Sequence, residues 1–219
     1  MISRQVLAYT GPFACYVLFL MLRSVVEPHS GFDTRWLYGA QVASVGVLMF
    51  TFRSDYGDLR TGALNLKAWA WSVACGVAVF AIWINLNQPW MKLGESAGFS
   101  ALRAGGDLDI TLAAVRLAGA ALVVPLMEEL FWRSFLLRWM VNRDFRGVDP
   151  RRIGWGPLLM GSLVFGVEHD LWLAGLVAGL AYGLLYIRSG SLWAPILAHA
   201  VTNGLLGAWV LAYQRWEYW

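Results

Sequence analysis

Apolar windows long enough to cross a bilayer constrain this sequence more than any other feature. A hydrocarbon core of about 30 Å takes roughly 20 helical residues, and windows near that length lie at 6–22, 36–52 and 66–86. A fourth, at 110–141, is longer than a bilayer needs, and three shorter ones follow at 154–168, 171–187 and 192–213. These runs are continuous and lack the period-two alternation of a lipid-facing β-barrel strand. The expectation is an all-α, polytopic membrane helix bundle of about seven transmembrane helices. Composition agrees: 58% of residues are hydrophobic and 14% charged, with a mean hydropathy of +0.54. A soluble domain is roughly 45–50% apolar and about 25% charged.

The net charge of +3 does not indicate a nucleic-acid partner, because Lys and Arg sit in short clusters between apolar runs rather than along one face. Membrane lipids are the expected surroundings. Counted on alternate loops, Arg4, Arg53, Arg60, Lys67, Arg138, Arg143, Arg146, Arg151, Arg152 and Arg188 share one side. Arg23, Arg35, Lys92, Arg103 and Arg215 share the other, with the acidic Glu95, Asp107 and Asp109. The positive-inside rule makes the first side cytoplasmic, so the N-terminus is expected inside. The window after Arg4 reads as a first span, since no cleavage site followed by a soluble domain is seen. Trp36, Trp69, Trp90, Trp155, Trp193, Trp216 and Trp219 are expected as interfacial belts. Cys15 and Cys75 lie inside apolar runs and read as packing residues.

The informative residues are the polar ones inside the windows. An ionisable side chain at mid-bilayer costs about 2.5–3.5 kcal/mol or more, so such residues face the bundle interior and mark function. Glu128, Glu129 and Arg133 lie in the fourth window, Glu168 and His169 end the fifth, and His199 and Asn203 lie in the seventh. Residues four apart share a helix face. Glu129 can therefore pair with Arg133, and His199 and Asn203 can address one object. At about 1.5 Å rise per residue, Glu128, His169 and His199 all reach mid-membrane depth. Pro125, which has no N–H to give, is the expected kink in the long fourth helix. Such a group suits hydrolysis. Glu128 could take a proton from water and return it to a leaving amine. His169 could hold that water, and His199 and Asn203 could donate to an oxyanion.

The runs Glu128-Glu129-Leu-Phe-Trp-Arg133, Phe165-Gly-Val-Glu168-His169 and His199-Ala-Val-Thr-Asn203 resemble, in this order, the three motifs of the CAAX protease and bacteriocin-processing family of intramembrane endopeptidases. The resemblance covers about 112–211. It implies a four-helix catalytic core within 108–213, preceded by the helices of 1–107, in a single membrane domain spanning 1–219. It also implies peptide-bond hydrolysis in a membrane-anchored or lipidated protein or peptide. On this reading Glu128, His169, His199 and Asn203 are catalytic, with Glu129, Arg133, Phe165 and Glu168 supporting them. The short first half looks more like bacterial members, including those associated with exosortase-type sorting. The family has also been described as metalloproteases, so Glu128, His169 and His199 stand as alternative zinc ligands. A glutamate-activated water, the favoured reading, needs no metal or other cofactor.

Ordinary explanations stand beside these. Glu129 with Arg133 could be only a buried ion pair, and His199 and Asn203 could be only interhelical hydrogen bonders. A catalytically silent scaffold or immunity-type protein would keep the fold, and a proton-coupled transporter would also use intramembrane Glu and His. Arg116 matches no motif. It is expected to snorkel outward or to pair with Asp107 or Asp109. Gly175, Gly179 and Gly183, four apart, read as a close-packing face.

Overall fold

The computed structural model describes residues 3–26, 33–60, 63–94 and 98–219. Among the described residues seven helices carry the fold: α1 (Arg4–Val26), α2 (Leu37–Thr51), α3 (Leu66–Asn85), α4 (Ile110–Val141), α5 (Trp155–Val167), α6 (Trp172–Ser189) and α7 (Trp193–Tyr213). Among the described residues there is no strand, only an isolated bridge between Leu102 and Leu108. By length and composition α1, α3, α4, α6 and α7 can each cross a membrane, and α5 is a shorter apolar helix. The architecture is an all-α polytopic membrane bundle. Its exposed surface is apolar, with Leu18, Val47, Phe50, Trp71, Leu122, Leu159 and Met160 all turned outward. In lipid, no water competes for the backbone, and the helices satisfy it internally.

Local chemistry sets the helix boundaries. Asn65 Oδ1 accepts the Ala68 N–H at 2.8 Å and opens α3, and Asp109 accepts the Leu112 N–H at 3.1 Å and opens α4. Gly190, at φ 69°, closes α6 in the left-handed region.

The long α4 does not break at Pro125. Instead the residues just before it, Gly119–Val123, form a widened π turn, and a second π segment covers Leu130–Leu137. The Val124 N–H reaches back to the Gly119 carbonyl, the i→i+5 register of a π turn. The next bond in that register would run from residue 125 to the Ala120 carbonyl, and proline has no N–H to make it.

Small residues set the closest helix contacts. A Cβ on Gly179 would stand 2.9 Å from Ser162 Cα, and one on Gly175 would stand 3.0 Å from Gly166 Cα, so α5 and α6 touch backbone to backbone. Gly76 of α3 sits against Ala198 and Val201 of α7 in the same way. The face read in the sequence as close packing is used so. α1 joins α4 through Phe13 stacked on Phe131, with centroids 4.0 Å apart.

Polar contacts mark the two ends of the bundle. At one end Asp58, in the α2–α3 loop, accepts from Tyr9 Oη (3.1 Å), Ser134 Oγ (2.6 Å) and Arg138 Nη2 (2.8 Å). There too Arg4 pairs with Asp55 at 3.2 Å, and Arg151 donates to the Ser189 carbonyl. At the other end Arg35 donates to the Ser100 carbonyl, Arg103 pairs with Asp109 at 3.2 Å, and Asn87 donates to Tyr218 Oη at 2.8 Å. Glu95 lies outside the described residues. Trp36, Trp69, Trp90, Trp155 and Trp193 are exposed near helix ends. Trp219 departs from the expected belt: it is buried, packed on Phe99 with centroids 6.2 Å apart.

Candidate active site

A cavity of about 180 Å³ opens between α3, α4, α6 and α7, and its lining includes Glu128, Phe165, His169, His199 and Asn203. The structure thus brings the four residues read as catalytic to one space, from three separated helical segments. α4 supplies the floor. Arg116, Ala120, Val124 and Glu128, each four residues apart, all line the cavity. In a regular α-helix each step of four residues advances by about 40°, so a row of four positions would wind away from the cavity. The wider π turn at Gly119–Val123 takes back part of that rotation and keeps the row on one face.

Glu128 is buried, and its Oε2 has no hydrogen-bond partner. The neighbouring Glu129 is fully buried but turns to other partners. Arg133 Nε stands 3.1 Å from its Oε2 and Nη1 donates to its Oε1 at 3.2 Å. His199 Nδ1 lies 2.9 Å from Glu129 Oε1. A carboxylate can only accept, so Nδ1 carries the proton and Nε2 is the nitrogen left for the cavity. Phe165 and Tyr182 sandwich the Arg133 guanidinium, at 4.5 and 5.5 Å from their ring centroids. Tyr182 also stacks on the His199 ring at 5.0 Å, which fixes that ring from a second side.

His169 follows the end of α5 rather than lying within it, and its Nδ1 is 2.7 Å from the Phe165 carbonyl. A carbonyl also only accepts, so Nδ1 carries a proton, and in the neutral ring Nε2 is left as an acceptor. Its ring is held edge-on by Trp83 at 5.4 Å and in a tilted contact by Phe165 at 4.7 Å. Asn203 Nδ2 donates to the Ala120 carbonyl at 2.8 Å, the carbonyl that Pro125 leaves without a π-register donor. A second amide N–H remains for another acceptor.

Glu168 does not join the lining. It is exposed just beyond α5, although its charge is within electrostatic reach of Glu128. The zinc reading asks Glu128, His169 and His199 to converge on one ion. Among the described residues no three His, Cys, Asp or Glu side chains form a group that could hold a metal ion. Arg116 neither snorkels away nor pairs with Asp107 or Asp109. It lines the cavity, its guanidinium 4.3 Å from the Tyr38 ring centroid and 5.0 Å from that of Phe99. Sequence reasoning also missed Tyr38, Trp83 and Trp219 as cavity residues, because each reaches the site from outside the three motifs.

Residues 110–205 match the model of a known family, described as type II CAAX prenyl endopeptidase Rce1-like. The match begins at the first residue of α4 and ends within α7, so it covers every cavity residue quoted from the three motifs. No curated protein and no solved structure matches the chain.

Proposed function

We propose, from the premise that residues 110–205 carry the fold and motifs of a CAAX endopeptidase family, that this chain is an intramembrane protease acting on a membrane-anchored or lipidated protein. The observation that carries the mechanism is Glu128: a buried carboxylate with an unpartnered oxygen, in the same cavity as His169, His199 and Asn203.

Water enters between Glu128 and the free Nε2 of His169. Glu128 takes its proton as the oxygen attacks the scissile carbonyl. The oxyanion that forms accepts from the second amide hydrogen of Asn203 and from His199 Nε2. For His199 to donate there, its ring must carry both protons, since the Nδ1 hydrogen is committed to Glu129. Glu128 then returns its proton to the departing amine, which balances the hydrolysis. Arg133 holds Glu129 in an ion pair and turned away from the cavity. No step in this reading requires a metal.

The cavity reaches toward the end of the bundle where α4 begins and Trp83, Tyr218 and Trp219 stand. With the N-terminus cytoplasmic, as the distribution of Lys and Arg favours, that end faces away from the cytoplasm, in a bacterial cell membrane.

The test is cleavage of a membrane-anchored candidate substrate by purified protein in detergent, wild type against Glu128→Gln, each with and without a strong zinc chelator. Activity lost in the variant and retained under chelation supports the glutamate mechanism. Loss on chelation with rescue by zinc overturns the metal-free reading, and equal cleavage by both proteins overturns the role of Glu128.

A further inference from the structure

Arg116 is a cation in the cavity that the mechanism above does not use. It lines the same space as Glu128, three steps of four residues toward the start of α4. Among the described residues no carboxylate is within ion-pair distance of it, and the nearest acidic residue in sequence, Asp109, is held by Arg103 at 3.2 Å. Its Nε has no hydrogen-bond partner. Neither do two other buried polar atoms of the lining, Tyr38 Oη and Trp219 Nε1. These groups are neighbours through the aromatic cluster beneath the guanidinium: Arg116 lies over both Tyr38 and Phe99, and Phe99 packs edge-on against Trp219. Three donors of the lining are therefore left without an acceptor, around a half-buried guanidinium that faces the Tyr16 and Tyr38 hydroxyls and has no counter-ion among the described residues. Buried polar groups are nearly always satisfied. The arrangement lacks an anion.

We infer that Arg116, with Tyr38 and Trp219, is the subsite that holds a carboxylate of the peptide substrate while Glu128 addresses the scissile bond. The inference rests on the protease reading. A carboxylate suits the planar guanidinium, whose Nε–H and one Nη–H form a side-on fork for two oxygens. Twelve residues of α4, including the π turn, separate Arg116 from Glu128, so the two side chains address different places along one bound peptide. The carboxylate belongs either to the free C-terminus of the substrate or to an acidic side chain.

Binding separates this inference from the protease reading, because it needs no turnover. The probe is a fluorescent, N-palmitoylated peptide of aliphatic residues in three forms: free C-terminal acid, C-terminal amide, and amide with one internal Glu. Each is titrated by anisotropy against Glu128→Gln protein in nanodiscs. The acid is expected to bind about tenfold or more tighter than the plain amide, and Arg116→Gln added to that background brings the ratio to about one. Tyr38→Phe, which keeps the ring under the guanidinium, lowers the ratio by a smaller factor and guards against a folding artefact in the Arg116 variant. Tight binding of the internal-Glu amide assigns the carboxylate to a side chain; binding at the plain amide's level assigns it to the C-terminus. A ratio near one in Glu128→Gln protein, including failure of every form to bind, overturns the inference, as does a ratio unchanged by Arg116→Gln. Absence of cleavage by wild type, with the binding ratio intact, would instead count against the protease reading.

Discussion

Asn203 gives its amide hydrogen to the Ala120 carbonyl, 2.8 Å away, at the place where Pro125 has no N–H to give. The α7 side chain thus completes the backbone of α4 inside its π turn, next to Glu128. A residue read in the sequence as an oxyanion donor also holds the floor of the cavity in shape.

The two roles of Asn203 are separable. Asn203→Ala is expected to lower kcat by about 10²–10³, the typical loss of one oxyanion donor, and to destabilise the protein by about 1 kcal/mol through the orphaned carbonyl. Pro125→Ala in that background supplies a backbone N–H to the same carbonyl. It should recover the stability and not the activity, measured by chemical unfolding in detergent alongside cleavage. Recovery of both would reduce Asn203 to a structural part.

Glu129 sits between Arg133 and His199, so neutralising it strands a buried cation. Glu129→Gln is expected to cost about 3–5 kcal/mol of stability. Glu129→Leu combined with Arg133→Met removes both charges and should cost clearly less. Unfolding midpoints for the two proteins decide this. A double variant as unstable as the single one would mean that shape, not charge, governs the site.

Gly119 opens the π turn against Tyr38. A Cβ there would lie 2.6 Å from Tyr38 Oη, and the ring cannot retreat without leaving Arg116. Gly119→Ala should therefore destabilise by about 1–3 kcal/mol. Gly204→Ala, whose nearest neighbour would be Ala121 Cβ at 3.9 Å, should be neutral or slightly stabilising. Thermal unfolding of both in the same detergent checks the pair, and a neutral Gly119→Ala would show that α4 can shed its π turn.

Orientation follows from charge and can be read directly. Single cysteines at Arg146 and at Gly105, in a background lacking Cys15 and Cys75, should label oppositely with a membrane-impermeant maleimide in intact cells. Protection is expected at 146 and labelling at 105. The reverse pattern would place the cavity mouth on the cytoplasmic side.

The sequence by itself determined the membrane class, the helix windows and the identities of the central polar residues. Burying a charge in lipid costs enough that Glu128, Glu129, Arg133, His169 and His199 stand out as interior-facing, and spacing of four by itself puts Glu129 and Arg133 on one helix face. Even the kink was half legible, since Pro125 marked where the α4 ladder had to change. Which way it changed was not, because Asn203, 78 positions later in the chain, supplies the missing hydrogen bond. The same limit hid Arg116. From sequence it had acidic neighbours within reach, and only the tertiary structure decided that Asp109 would cap α4 and pair with Arg103 instead. Tyr38, Phe99 and Trp219 come together around Arg116 from distant segments, and contacts of that kind depend on how helices cross, which no local pattern of residues encodes.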